Sequence, residues 1–505
     1  MTERASSPTV EKSLTEKIRE AGSHTLIYGL GAAVQTLLGF VLIPLYTRYY
    51  TPEIYGVLSL VVLCGTLAGV VFYLGASSAL SRSYYDYADE AERKKVSSTS
   101  LRLILFGAIM QILLGFLLRE RLSLLLFGST KYALHINLAI VSSALSFTSN
   151  LFYLILRFER KSKQVILINI LALLSGASLI IWMLTVLKLG VMAPILGDAI
   201  NQFLIFVVLF CITRKSFVWG YSKREIRIQL HYGIPTMLCG LLFYLMTSID
   251  RLMIDKWLSL AEVGIYALGC KIGMVIQPLF ISPFSQIWAP MRMQYRQDKN
   301  FEELYKVILT YYSAIGLLFA AAVSLFSRDI LVLFSGRPEY HVAYQIVPAI
   351  IVAYLVYGAV NIVDFGVALS RKVIYHVYAF GTALLVNAGL NWILLPRFGY
   401  RASAAVLFLT FLVLTAIVFW VSQRLYRIQY EGHRLLALAG SSLAIVVVGL
   451  QPAVPAGWLS AAYKVCLLVG LLVGWYYLLL NSNEKRQLGS LARVVSLAAV
   501  RKNLV

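Results

Sequence analysis

Residues 54–76 read IYGVLSLVVLCGTLAGVVFYLGA, 23 residues without a charged side chain, preceded by Pro52-Glu53 and followed by Arg82. Wound as an α-helix at 1.5 Å per residue, this run is about 35 Å long, enough to cross the ~30 Å hydrocarbon core of a bilayer. The pattern repeats. Apolar windows bounded by charge, Gly or Pro lie near 25–47, 54–76, 99–117, 133–156, 164–187 and 190–212, then near 231–250, 261–288, 304–326, 341–366, 374–395 and 400–422. A last pair lies near 435–454 and 459–480. The short apolar pieces Leu122–Phe127 and Ile330–Phe334 are too brief to cross and read as interfacial turns. Composition agrees: of 505 residues 59% are hydrophobic and 14% charged, with a mean hydropathy of +0.76, which a water-facing surface of this size excludes. The expected fold is all-α, a polytopic membrane protein of about 14 transmembrane helices.

The net charge of +21 does not point to nucleic acid, because the basic residues are spread between the spans and form no contiguous stripe. Their distribution orients the chain. The segments before span 1, after every even span and after span 14 hold 31 of the 45 basic residues, the opposite loops 12, and Arg102 and Lys271 fall inside spans. By the positive-inside rule both termini are cytoplasmic. The segment 1–23 has no apolar core and no small-residue cleavage site, so it reads as a short cytoplasmic amphipathic helix and not as a signal peptide. Cys64, Cys211, Cys239, Cys270 and Cys466 all fall in spans, without CxxC spacing or a companion His, so they read as packing residues and no metal is expected.

Aligning the chain with itself reveals a duplication. Tyr28-Gly29 recurs as Tyr232-Gly233, Arg48 as Arg251, Leu126-Phe127 as Leu333-Phe334, Tyr132 as Tyr340, and Gly190-x-x-Ala193 as Gly399-x-x-Ala402. The offset stays between 203 and 209 throughout. The chain therefore divides into a cytoplasmic N-terminal segment (1–23), a first lobe of six helices (24–212), a cytoplasmic linker (213–230), a second lobe of six helices (231–422), two additional helices (423–482) and a cytoplasmic tail (483–505). Six is even, so the pseudo-symmetric lobes are related by an axis along the membrane normal, and a central cleft between them is where a transporter holds its substrate.

The stretch Ile43-Pro44-Leu45-Tyr46-Thr47-Arg48-Tyr49-Tyr50-Thr51-Pro52-Glu53-Ile54-Tyr55-Gly56-Val57 resembles the opening of bacterial polysaccharide flippases of the Wzx/polysaccharide transporter type. Ser248-Ile249-Asp250-Arg251, Gly264-Ile265-Tyr266-Ala267 and the run Asn391-Trp392-Ile393-Leu394-Leu395-Pro396-Arg397-Phe398-Gly399-Tyr400-Arg401-Ala402 are similar to later segments of that family. The resemblance covers roughly residues 22–480. It implies membership of the multidrug/oligosaccharidyl-lipid/polysaccharide exporter superfamily. It also implies transfer of an undecaprenyl-pyrophosphate-linked oligosaccharide between leaflets of the bacterial inner membrane, with a polysaccharide polymerase and chain-length machinery as further partners.

Such a substrate carries two phosphates, a polar glycan and a long apolar tail, so its carrier needs cations in a wet cleft. Arg48 and Arg251 are the first candidates, since the duplication places them at matching helix ends and a guanidinium holds phosphate bidentately. The competing reading is that both snorkel to the headgroups. Lys271 lies about 14 Å inside its span, where an ammonium facing lipid costs several kcal/mol. It is expected to face the cleft or to pair with Asp250 or Asp364. Arg82, Arg157 and Arg160 sit where spans reach the cytoplasm; Arg82 and Arg157 join the substrate-binding candidates as residues that could receive a pyrophosphate there, with the positive-inside rule as the competing account. Asp198, Asn201 and Gln202 share one helix face at i, i+3 and i+4, suited either to a coupling H⁺ or Na⁺ or to plain interhelical hydrogen bonding, and Asp250 and Asp364 are further ion-coupling candidates. Asn387 and Asn391 offer the same choice. Tyr46, Tyr49, Tyr50, Tyr84, Tyr85 and Tyr87 cluster at expected interfaces, where Tyr anchors helix ends.

Rival functions make different demands. A multidrug or cation exporter of the same superfamily needs an acidic or apolar cleft. A lipid II flippase needs a cationic one, and only the family resemblance separates it from the leading reading. A membrane-embedded polymerase needs a catalytic domain, a large loop or an Asp-x-Asp site, and none is visible. No Gly-rich phosphate loop is present, so no nucleotide or other cofactor is expected and the energy comes from an ion gradient or the membrane potential.

Overall fold

A computed structural model of the chain describes residues 42–87, 89–294, 301–370, 374–451 and 458–478. The expected amphipathic helix in 1–23, most of the first span and the tail from 479 lie outside the described residues. Those described form helices without a strand among them. In order they are α1 (42–49), α2 (Pro52–Phe72), α3 (Ala76–Ser83), α4 (Glu90–Phe127), α5 (Ala133–Phe158), α6 (Ser162–Thr185) and α7 (Met192–Thr213). The second half continues with α8 (Lys223–Met246), α9 (Ile249–Trp257), α10 (Leu260–Gly273), α11 (Ser282–Gln294), α12 (Phe301–Phe334), α13 (Val347–Val363), α14 (Phe365–Ser370), α15 (Ile374–Phe398) and α16 (Tyr400–Leu425). Two more, α17 (Gly432–Leu450) and α18 (Trp458–Leu478), close the order. Twelve spans are long and apolar enough to cross a membrane, and a pair bent by 47° at Ile346 makes a thirteenth.

Two expectations about local structure are corrected. Leu122–Phe127 and Ile330–Phe334 are the last turns of α4 and α12, not separate interfacial turns. Nothing between Leu118 and Phe127 breaks a helix, because Arg119, Glu120 and Arg121 are good helix formers. The stop comes at Gly128, whose φ of 64° suits a glycine and whose N–H donates to the Leu124 carbonyl at 3.0 Å. The seventh span also runs beyond its apolar window. The helix is interrupted at Thr247-Ser248 and continues as α9 to Trp257, so Arg251 lies about 9 Å inside the end of its span and not at it.

In the first lobe α5 packs against α2, α4 and α7, and α6 against α7; in the second α16 packs against α13 and α15, with α8 on α15 and α12 on α13. Amide and hydroxyl groups tie the second lobe internally. Asn387 Nδ2 donates to Thr410 Oγ1 at 3.0 Å, Asn391 Nδ2 to Asn387 Oδ1 at 3.1 Å, and Ser403 Oγ to Asn391 Oδ1 at 2.7 Å, all buried. Of the two readings open for the asparagine pair, this is the interhelical one. Helices α17 and α18 lie against α12, where Lys464 of α18 pairs with Asp329.

The loop between α16 and α17 is pinned by Glu431, which accepts from Arg434 Nη1 at 2.8 Å and lies 3.3 Å from Lys306 Nζ. Burial alone raises its carboxyl pKa, but the hydrogen bonds and charges of Arg434 and Lys306 outweigh that and hold it below 4.5. A depressed folded-state pKa stabilises above the unfolded value and is lost as pH falls through the folded one. Glu431→Gln should therefore lower thermal stability by about 1 kcal/mol or less at pH 7. The difference should vanish in melts run well below pH 4.5, and a constant difference across that range contradicts the assignment.

Candidate functional site

The lobes touch at two glycine crossings, one toward each face of the membrane. On α2 and α10, a Cβ at Gly56 would sit 2.0 Å from the Leu260 carbonyl oxygen, and one at Gly264 would sit 1.9 Å from that of Pro52. Only backbone fits there. Polar contacts extend this seal: Gly336 N–H donates to Thr47 Oγ1 at 2.9 Å and Tyr340 OH to the Tyr50 carbonyl at 3.1 Å. Toward the other face, a Cβ at Gly75 would sit 2.2 Å from the Gly233 carbonyl oxygen and one at Gly233 would sit 2.3 Å from that of Leu74, and Gly75 has a φ of 63°. Around them Tyr87 OH donates to Glu225 Oε1 at 2.6 Å, Ser100 Oγ donates to Gln229 Oε1 at 2.8 Å, and the Arg82 guanidinium stacks 4.7 Å from the Tyr232 ring.

Nineteen residues separate Gly56 from Gly75, about 28 Å along a helix. Between them the lobes part around a cavity of about 750 Å³. Leu58, Ser59, Val62 and Thr66 of α2 line it between the two seals. The second lobe contributes Arg251, Ala267, Lys271 and Met274. Facing them, the first lobe presents Ser142, Ser143, Ser146 and Asn150 from α5 and Asp198 and Gln202 from α7.

Neither cation forms a salt bridge among the described residues, although Arg251 and the adjacent Asp250 carboxylate interact electrostatically. Lys271 was matched in the sequence with Asp250 or Asp364, and neither is free for it. Asp250 is buried against Tyr266, whose hydroxyl donates to it, and its Oδ1 accepts the Arg251 N–H at 2.8 Å. Asp364 accepts from Arg292 Nη1 at 2.9 Å, with His376 Nε2 3.9 Å away. Lys271 instead lies 5.9 Å from the ring of Tyr46, which thereby lines the cavity and is no simple interface anchor. Arg251 shows the clearer sign of an unfilled role, since its buried Nε has no hydrogen-bond acceptor among the described residues. A buried guanidinium nitrogen left unpaired costs of the order of 1–3 kcal/mol unless a ligand meets it.

The other candidates scatter. Arg48 is exposed at the end of α1, packed on Gly336 and outside the cavity, although the repeat equates it with Arg251. The symmetry fails because α9 carries the second-lobe chain past the arginine while α1 stops beside it. Arg82 belongs to the seal, and Arg157 is exposed at the end of α5. The α7 face splits: Asp198 and Gln202 reach the cavity, and Asp198 accepts from Ser142. Asn201 turns to α6, accepting from Ser175 Oγ at 2.7 Å and donating to the Ala172 carbonyl at 3.0 Å. The sequence reading missed the α5 stripe. Polar residues at 142, 146 and 150 recur every four positions along one face of α5, and that spacing was the available signal. Among the described residues no cluster of His, Cys, Asp and Glu suits a metal ion.

Comparison with known proteins follows the same lines. A family model described as polysaccharide biosynthesis protein matches residues 21–296. A protein of the Lsg locus of Haemophilus influenzae is 22% identical over 345 residues, covering 66% of this chain and 82% of its own. Among solved structures, the lipid II flippase MurJ in an inward closed conformation superimposes with a TM-score of 0.73 at 15% identity, covering 90% of this chain and 99% of MurJ. An inward-facing multidrug resistance transporter of the MATE family and the MOP superfamily superimposes with a TM-score of 0.62 at 17% identity, covering 80% of this chain and 96% of that one. The chain shares its fold with both of these solved transporters.

Proposed function

Because the chain belongs to the polysaccharide biosynthesis protein family and is built as a membrane transporter, not as an enzyme, we propose that it carries an undecaprenyl-pyrophosphate-linked oligosaccharide across the bacterial inner membrane by alternating access. The observation that carries this reading is the pair Arg251 and Lys271 on the cavity wall, two cations without a salt bridge among the described residues at a depth where lipid would not tolerate them. Phosphate is the ligand that repays such an arrangement, through charge-assisted hydrogen bonds in a site screened from bulk water. In this reading both termini are cytoplasmic, the Gly75–Gly233 seal faces the cytoplasm and the Gly56–Gly264 seal the periplasm. A polysaccharide polymerase takes up the delivered unit.

Lipid II presents the same pyrophosphate, and MurJ shares the fold, so the headgroup must be tested directly. Purified protein in proteoliposomes should move the lipid-linked repeat unit of the host polysaccharide between leaflets. Transport of lipid II alone would move the assignment to peptidoglycan precursors. Transport of cationic dyes with neither lipid would move it to drug export.

Asp198 and Gln202 are the groups we assign to ion coupling, because they share the cavity with the cations and sit on the opposing lobe. Translocation should depend on a H⁺ or Na⁺ gradient, and Asp198→Asn should remove most of that dependence, slowing gradient-driven transport about ten-fold while leaving downhill exchange. Unaltered ion dependence in Asp198→Asn would exclude this role.

A further inference from the structure

The two cavity walls are chemically unlike. From the second lobe come two cations and the apolar Ala267 and Met274, with no neutral hydrogen-bonding side chain among the described lining residues. Every such neutral group comes from the first lobe, and α5 supplies four of them, more than any other helix. Along that helix Ser142, Ser146 and Asn150 follow one another at i, i+4 and i+8, a ladder about 12 Å long. Ser142 is engaged by Asp198 and Ser143 by Gln111. Ser146 and Asn150 make no hydrogen bond to another described residue and face the open volume.

Hydroxyl and amide groups both donate and accept, which is what a sugar ring, itself both donor and acceptor around its rim, requires. Phe147, between Ser146 and Asn150 in the lining, offers an apolar surface for the C–H face of such a ring. Asp198 is the only acid in the described lining, and it lies on this same wall. A second carboxylate brought beside it in a low-dielectric cavity meets like-charge repulsion.

We infer that the lobes divide the substrate between them: Arg251 and Lys271 of the second lobe hold the pyrophosphate, while the α5 ladder of the first lobe reads the adjoining sugar, which is a neutral or amino sugar and not a uronic acid. This rests on the carrier reading above and deepens it. A cavity of about 750 Å³ sits within the ~300–1,000 Å³ range of sites that enclose a small ligand. It encloses a pyrophosphate with the few sugars nearest it and leaves the lipid tail outside. Division between lobes also gives the transport cycle a logic, since only a substrate carrying both parts draws the two walls together.

The test uses full-length protein in nanodiscs and three probes: bare undecaprenyl pyrophosphate, the same lipid bearing a neutral N-acetylhexosamine disaccharide, and the same lipid bearing a uronic acid first. Wild type should bind the neutral glycolipid about ten-fold more tightly than the bare lipid and the uronate form no better than the bare lipid. The double variant Ser146→Val/Asn150→Leu should lose the ten-fold gain while keeping its affinity for bare lipid, which doubles as the control for folding. Asn150→Gln should retain part of the gain. Arg251→Gln should weaken all three. Equal binding of bare and neutral-sugar lipid by wild type would overturn the division of labour, as would a parallel loss of both by the double variant. Failure of wild type to bind any of the three would instead remove the carrier reading itself.

Discussion

Replacing Arg251 and Lys271 together by alanine should abolish surface polysaccharide in a strain lacking the native protein, while membrane insertion and abundance stay at wild-type levels. Each side chain faces the cavity from the second lobe and neither forms a salt bridge among the described residues, although the Arg251 charge acts on the buried carboxylate of Asp250. Their removal should thus cost substrate binding, with membrane abundance as the control for any destabilisation around Asp250. A hydrogen bond to a charged group is worth about 1.5–3 kcal/mol. At about 1.4 kcal/mol per decade, each single substitution should slow export about 10- to 100-fold, and the pair should fall below detection. Arg48→Ala is the internal contrast. That residue duplicates Arg251 in the sequence yet is exposed outside the cavity, so its loss should change export less than about three-fold. Surface glycan quantified in the deletion strain decides the matter. Normal levels in the double variant would remove the cationic cavity as the substrate site.

Gly264→Leu should be nearly as damaging by a different route. At this crossing a Cβ would lie 1.9 Å from a backbone oxygen of the facing helix, and the reciprocal position Gly56 is equally tight. Backbone cannot yield as a flexible side chain does, so α2 and α10 must separate and the seal they form cannot close. Overpacking of this kind costs about 1–3 kcal/mol even in a static core. In a two-state carrier the same penalty shifts the population away from any conformation sealed on that face. Transport should fall by at least about ten-fold. With a reporter Ser59→Cys in a cysteine-free background, labelling from the Gly56 side should rise and labelling from the Gly75 side should not. Gly233→Leu should give the mirror result, since its partner oxygen on Leu74 is 2.3 Å away. Symmetric labelling in both variants would mean that the crossings are packing contacts and not gates.

Much of this architecture is written plainly in the sequence. The 23-residue uncharged run at 54–76 requires lipid, and the repeated offset requires two lobes. What escaped was tertiary. The Gly56–Gly264 and Gly75–Gly233 contacts involve residues more than 150 positions apart, and a glycine in an apolar span has no local mark that distinguishes a helix crossing from ordinary packing. Arg251 was placed at a helix end because charge at Asp250-Arg251 terminated the apolar window, whereas a helix facing protein and a wet cavity tolerates charge and ran on to Trp257. The same reasoning, applied to the repeat, gave Arg48 a role its surroundings do not support. Lys271, in contrast, was legible from depth alone, because lipid sets a high cost on an ammonium in mid-span. The sequence leaves two options for Asn201 and Asn387, and both make helix-to-helix hydrogen bonds.

The most direct check is the affinity of purified protein for undecaprenyl pyrophosphate against undecaprenol, measured side by side for wild type and for Arg251→Gln/Lys271→Gln. Wild type should prefer the pyrophosphate by at least about a hundred-fold, and the double variant should bind the two lipids alike. An undiminished preference in the double variant would show that the phosphates lie elsewhere, and the cavity between the lobes would lose its claim to the substrate.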